Sequence, residues 1–241
     1  MNIFALVIPP KGAYPCNGAA CSRVLELPGL CPPCASRSER DEMQRRVRAW
    51  AAKSLPERYR DASWSALPRL LRDDGSGRPR VEVAPVRLAQ IRTALEGNRR
   101  AVIIGPPGCG KTTVAAAHLR AAGERDPLAR VRFIPAEDLL REETPEGGPT
   151  PFALALSADV LVVDDLGVEL NQAPVGSGLL AQRAGAASKL IGERFDRQQP
   201  LVVTTGIDRA AIQTMYGDRI ARRIFEGAAV IRLGADTKRA A

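Results

Sequence analysis

Residues 101–112 read AVIIGPPGCGKT: a short apolar run, a glycine-rich turn, then Lys-Thr. A continuous apolar run of this kind suits a strand buried on both faces of a parallel sheet. The octet 105–112 fits G-x-x-x-x-G-K-[ST] and stands where that pattern carries meaning, after a strand and before a helix. Gly105, Gly108 and Gly110 free the backbone to wrap around phosphate oxygens with its N–H groups turned inward. Pro106, Pro107 and Cys109 fill the variable positions. The helix that opens with Lys111, Thr112 and Thr113 adds the partial positive charge of its N-terminus. Lys111 is the residue to reach the β- and γ-phosphates, and the Thr112 hydroxyl the one to ligate Mg²⁺, so the octet points to ATP with Mg²⁺. A thiol at a helix N-terminus has its pKa lowered, which leaves a redox role for Cys109 beside the plainer one of lending its amide to phosphate.

Downstream, DVLVVDD at 159–165 is an apolar strand ending in two carboxylates. Such a strand brings acidic groups to the edge of the sheet where the phosphates lie. Asp164 is expected to hold Mg²⁺ through water, and Asp165 to polarise the attacking water. The alternative is an Asp pair that merely caps the turn before Gly167. Further β-rich runs are VRFIPA (131–136), LVVTT (201–205) and AVIRL (229–233), with helical segments at 112–122 and about 179–197 between them. This alternation predicts an open α/β fold: a five-stranded parallel sheet with helices on both faces. EETPEGGPT (142–150) and NQAPVGSG (171–178) read as exposed loops.

Upstream, four of the five cysteines fall within 19 residues: Cys16, Cys21, Cys31 and Cys34. C-x₄-C followed by CPPC suits a closed tetrahedral thiolate site for structural Zn²⁺. A redox pair at CPPC is the alternative, although no thioredoxin-like βαβ unit surrounds it. His118, the only histidine, reads as packing. Ser38 and Asp41 form a plausible capping pair for a basic amphipathic helix carrying Met43, Val47 and Trp50, closed by Pro56. Residues 73–80, DDGSGRPR, read as a linker. The predicted domains are a four-cysteine zinc module at 1–37, a helical basic segment and linker at 38–85, and an ATPase domain at 86–241.

The chain has 241 residues and a net charge of +8. Residues 1–80 hold 14 Lys and Arg against 8 Asp and Glu, so six of those charges lie in the first third. A basic excess favours nucleic acid as partner, with a solvated face as the competing reading. Aromatics at 4% argue against an open base-stacking platform. MNIFALVIPP lacks a basic n-region and is stopped by Pro9-Pro10, and no stretch approaches the roughly 20 apolar residues of a membrane span. The expectation is a cytoplasmic protein without membrane contact.

GPPGCGKT, DVLVVDDLGVE, PLVVTTG and YGDRIARRI, in that order, resemble the DnaC/IstB-type AAA+ ATPases: replicative helicase loaders and helper ATPases of certain transposons. LPERYRDASWSAL (55–67), RFIPAEDLLRE and GERFDRQQP fit as well, so the likeness spans roughly residues 55–235. The resemblance implies ATP hydrolysis, a replicative helicase and single-stranded DNA as partners, and self-association. It gives Thr205 a contact with the γ-phosphate or the lytic water. Gly206 stands where the family's sensor strand carries Asn. Arg223 matches the arginine finger that acts in a neighbour's site, with Arg219 one turn earlier as an auxiliary. Only GADTKRAA follows the last strand, so the expected AAA+ core lacks a C-terminal lid. The cysteine module resembles zinc-binding regions of loaders that dock on the helicase, which favours the loader over the transposase helper. Two rivals remain: a nucleotide-responsive adaptor that scarcely turns over, and a zinc-dependent DNA-binding protein with a vestigial P-loop.

Overall fold

The computed structural model describes residues 14–15, 24–25, 34, 36–39, 41–42, 45, 49–51, 55–72, 83–126, 129–140, 148–167 and 178–234. Cys16, Cys21, Cys31, Met43, Val47, the linker 73–80 and most of the loops 142–150 and 171–178 lie outside the described residues. The chain divides into two compact units, Met1–Arg48 and Ala49–Ala241.

In the first unit Tyr14–Pro15 pairs antiparallel with Val24–Leu25. Cys34, residues 36–39, 41–42 and 45 are helical. The expected capping pair is therefore corrected: Ser38 and Asp41 lie among residues already helical rather than opening the helix. An exposed serine costs a helix interior only a few tenths of a kcal/mol, roughly, so local capping preference did not set this start.

The second unit is built on five parallel strands: β1 (Arg100–Ile104), β2 (Val131–Pro135), β3 (Val160–Leu166), β4 (Leu201–Thr205) and β5 (Ala229–Arg232). Their order across the sheet is β2-β3-β4-β1-β5. All five expected strands form within a residue or two of the apolar runs that announced them. The helices are α1 (Leu67–Arg72), α2 (Pro85–Gly97), α3 (Lys111–Arg125), α4 (Pro151–Ser157), α5 (Gly178–Asp196), α6 (Arg209–Tyr216) and α7 (Asp218–Phe225). Among the described residues no helix is long and apolar enough to cross a membrane.

Alternation along each strand divides the core in two. Ala101, Ile103, Val162, Val202 and Ile231 face a cluster that includes α3. Val102, Ile104, Leu161, Val163, Leu201 and Val203 face the other, with Leu190 and Ile191 of α5 and Ile212 of α6. α3 is buried on almost every side, and its run of small residues, Ala115–Ala117, lets it sit tightly under its cover. That cover is the segment preceding the sheet. Ala51, Leu55, Ala62, Leu67 and Leu71 are buried in the same cluster as Leu119 and Phe133. The Trp50 indole N–H donates to the Val131 carbonyl, 3.2 Å away.

Candidate nucleotide-binding site

The glycine-rich loop joins β1 to α3 at the C-terminal edge of the sheet. Gly108 and Gly110 have φ of +79° and +89°, a backbone region costly for side chains with a Cβ. A Cβ on Gly105 would stand 2.5 Å from the Leu233 carbonyl oxygen, so this position is closed to larger residues. Lys111 is buried, and its Nζ donates to the carbonyls of Gly105 (2.9 Å) and Pro106 (3.0 Å). Its ammonium therefore lies against the start of the loop that its own helix follows. Thr112 and Thr113 are buried beside it.

The two carboxylates reach the same edge through a bulge. β3 and β4 pair as Val163↔Val203 and then Leu166↔Thr205, so β3 carries one extra residue. Asp165 absorbs it with φ +53°, a left-handed conformation that Asp tolerates better than most residues. The amide that the bulge removes from the ladder is satisfied by a side chain: Asp165 N donates to Thr204 Oγ1 at 2.9 Å. Thr204 Oγ1 in turn donates to Asp164 Oδ1 at 2.6 Å. Burial raises the Asp164 carboxyl to about 6; hydrogen bonds from Thr204 and Thr112 and the Lys111 charge pull it back, while the Asp165 charge adds to the rise. A buried carboxylate at the strand end beside a threonine hydroxyl is an oxygen donor set suited to a hydrated divalent cation.

Thr205 is fully buried, and its hydroxyl donates to the Leu166 carbonyl (2.7 Å) and accepts from Ile207 N (3.2 Å). In this arrangement it ties the end of β4 to the bulge, and Thr204 is the threonine that touches Asp164. The signal for Thr204 lay in the two-residue period. Val162, Asp164, Val202 and Thr204 share the parity of the α3 face, and Thr205 has the opposite parity. Tyr59 also approaches from the covering segment; burial raises its phenol pKa, and a hydrogen bond with Thr112 works against the rise. Cys109 is buried, and that burial raises its thiol while the Lys111 charge works against the rise. His118 is buried, and desolvation lowers it to about 4, as suits a neutral packing residue.

The arginines of α7 differ. Arg219 is exposed. Arg223 is turned back on its own chain: Nη2 donates to both Asp196 oxygens, at 2.8 and 3.0 Å, and only 13% of the side chain is exposed. Its guanidinium lies 5.4 Å from the centre of the Phe195 ring. Asp196 was not singled out from the sequence; it lies 27 residues from its partner, beyond any local pattern. Of the four expected zinc ligands only Cys34 falls among the described residues, half-buried. Those residues contain no cluster of metal-ligating side chains.

A sequence model of the family described as IstB-like ATP binding protein matches residues 85–221, more than half of the chain. The chain belongs to this family. The match covers the glycine-rich loop, the Asp pair, Thr204 and Arg219, and stops two residues before Arg223. No curated protein matches the sequence. Among solved structures, the DnaC helicase loader superposes with a TM-score of 0.53 at 22% identity, covering 74% of this chain and 99% of that one. DnaI gives 0.51 at 20% identity over 74% and 94%. The replication initiator DnaA bound to AMPPCP and single-stranded DNA gives 0.50 at 16% identity over 74% and 50%. At these identities the likeness shows the fold, that of P-loop nucleotide-binding domains. The IstB-like chain thus has the five-stranded parallel core expected of it.

Proposed function

We propose that the chain hydrolyses ATP and uses the cycle as a switch on a replicative helicase, in the manner of a helicase loader. The observation that supports hydrolysis best is the acidic end of β3, where Asp164 is buried beside Thr204 and Asp165 sits in the bulge, at the strand edge from which the loop leads to Lys111 and Thr112. When bound, Mg²⁺ and ATP supply the phosphoanhydride and a cation that draws charge from its oxygens. The Thr112 hydroxyl and Asp164 hold the cation, Asp164 through water. Amides of residues 108–113 would receive the phosphates, and Lys111 would exchange the carbonyls of Gly105 and Pro106 for phosphate oxygens. Asp165 accepts a hydrogen bond from the attacking water and orients it. Arg223, with Arg219 beside it, completes the site of a neighbouring copy, and single-stranded DNA promotes that assembly. Lys111→Ala is expected to abolish stabilisation by ATP in thermal denaturation. Unchanged ATP affinity would remove the assignment.

The loader reading draws on the cysteine segment, for which we propose one Zn²⁺ held by Cys16, Cys21, Cys31 and Cys34. Metal analysis of protein purified without chelator should find one zinc per chain, lost on Cys31→Ser. Absence of zinc in the unaltered chain would overturn the site. The family description favours a second reading, a helper ATPase for a transposase of the IstB kind. Affinity capture from the source cell separates them: a hexameric helicase supports the loader, a transposase the helper.

A further inference from the structure

The phosphate loop is held at both ends by residues that do not belong to it. At its start, the Leu233 amide donates to the Ile104 carbonyl at 2.8 Å, and the Leu233 carbonyl lies against Gly105. Gly234 lies against Pro106: a Cβ there would meet the proline Cδ at 3.1 Å. At its end, Gly110 is met by Leu71 of α1. A Cβ built on Gly110 would fall on Leu71 Cδ2 and stand 3.7 Å from Leu71 Cγ. The leucine branch thus occupies the place of the side chain that Gly110 lacks. Between these two ends Pro106, Pro107 and Gly108 are exposed.

Leu71 can bear on Gly110 because α1 is itself anchored. Leu67, one turn earlier, is fully buried, and Leu71 is buried on the same face. The turn that leads into α1 is closed by Ser63, whose carbonyl accepts from Leu67 N at 2.9 Å and whose hydroxyl accepts from Ala66 N at 3.2 Å. Further back, the Arg60 carbonyl accepts from Arg120 Nη1 of α3 at 3.0 Å. Gly110, for its part, sets how the loop runs into α3. It precedes the helix with φ +89° and ψ 14°, and its carbonyl accepts from Val114 N at 3.0 Å. No side chain caps this helix start, so the amides of its first turn are left for a ligand. Their direction follows from the dihedral angles of Gly110. Glycine permits many such angles, so what selects one must lie outside it.

We propose that Leu71 is a positioning residue for the phosphate loop: by filling the space beside Gly110 it holds the loop in the conformation that aims the α3 amides at phosphate. This rests on the reading of residues 105–112 as an ATP site. It makes the segment before the sheet part of that site through packing, without contact with the nucleotide. With the leucine branch removed, Gly110 gains other conformations and only a fraction of the chains stands ready to bind. Apparent affinity falls by that fraction, about tenfold if one chain in ten or so is competent.

The test is displacement of a fluorescent ADP analogue from the full chain by ADP and by inorganic tripolyphosphate, on wild type, Leu71→Ala, Leu67→Ala and Lys111→Ala. Leu71→Ala is expected to weaken both ligands alike, by about tenfold. Leu67→Ala opens a cavity in the same helix away from Gly110; it should lower the thermal midpoint and leave both affinities at wild-type values. Should Leu71→Ala not fold, Leu71→Val, one methylene shorter than the native side chain, is expected to show the same loss in smaller measure. Wild-type affinity in a folded Leu71 variant overturns the proposal. So does an equal loss in Leu67→Ala, which would make the packing of α1 alone the cause. A loss for ADP without one for tripolyphosphate would put Leu71 at the nucleoside and overturn its action on the loop. If Lys111→Ala binds both ligands as wild type does, the ATP site itself has been misread.

Discussion

Gly206 follows β4 at the point where the family's sensor strand ends in Asn. Its backbone is not in the left-handed region, so nothing in its conformation demands glycine. A Cβ added there would meet only the Gly105 carbonyl oxygen, at an ordinary 3.9 Å. The space beside the phosphate loop is therefore open to an amide side chain. Gly206→Asn should fold normally and raise the turnover of ATP. A well-placed donor at a developing charge contributes about 10²–10³ in rate, and one not yet refined by its surroundings about tenfold. Steady-state phosphate release at saturating ATP checks this. Unchanged turnover would mean that Gly206 is no handicap and that Thr204 of β4 and Asp165 of β3 suffice without it.

Arg194 near the end of α5 shows how an element is fastened. It is fully buried, and among the described residues its guanidinium makes no ion pair; desolvation lowers its pKa to about 10 against the opposing Asp159 charge, so it remains charged at neutral pH. Nη1 donates to the carbonyls of Ala155 (2.8 Å) and Ala158 (3.0 Å), and Nη2 to that of Pro200. Ala158 and Pro200 precede β3 and β4, so the contact clamps the edge of the sheet opposite the phosphate loop. Arg194→Ala removes its bonds to three carbonyls, of which that of Pro200 keeps the Leu161 amide, and leaves a cavity in place of the side chain. A loss of about 3 kcal/mol or more is expected from such changes. Chemical denaturation measures it directly. ATP affinity of the folded fraction should be unaltered, because the clamp and the candidate site lie at opposite strand ends. A fall in that affinity would show that the two edges are coupled.

At the scale of the whole molecule the question is whether a site is completed by a second copy. Arg223 is chelated by Asp196 of its own chain, so action in a neighbour's site requires that this pair open. Arg223→Ala should leave ATP binding nearly intact and lower turnover strongly, since arginine fingers contribute about 10³–10⁵ in rate. Mixing it with Lys111→Ala should restore part of the activity, because one chain then offers the loop and the other the arginine. Asp196→Ala separates two explanations. It removes the chelate but keeps the arginine, and should retain concentration-dependent turnover. If Asp196→Ala is as inactive as Arg223→Ala and the mixture stays dead, Arg223 acts only through its own chain.

The strands and the phosphate loop were legible because their signals are local. A buried parallel strand needs a continuous apolar run, and a phosphate-wrapping turn needs glycine at set intervals before Lys-Thr. Both requirements are met within a dozen consecutive residues. The family followed from the order of several such motifs. Three features were decided only by the tertiary structure. The bond from the Asp165 amide to Thr204 exists because the bulge in β3 leaves an amide that a neighbouring strand must satisfy. Leu55, Leu67 and Leu71, which read as part of a basic appendage, are buried over α3, because that small-residue helix needs an apolar cover and composition alone does not say which segment supplies it. The partners of Arg194 and Arg223 come from segments distant in sequence. A cation on an amphipathic helix looks the same in sequence whether it faces water, a carbonyl cluster or a carboxylate. Only packing, which fixes what remains within hydrogen-bond reach once water is excluded, distinguishes them.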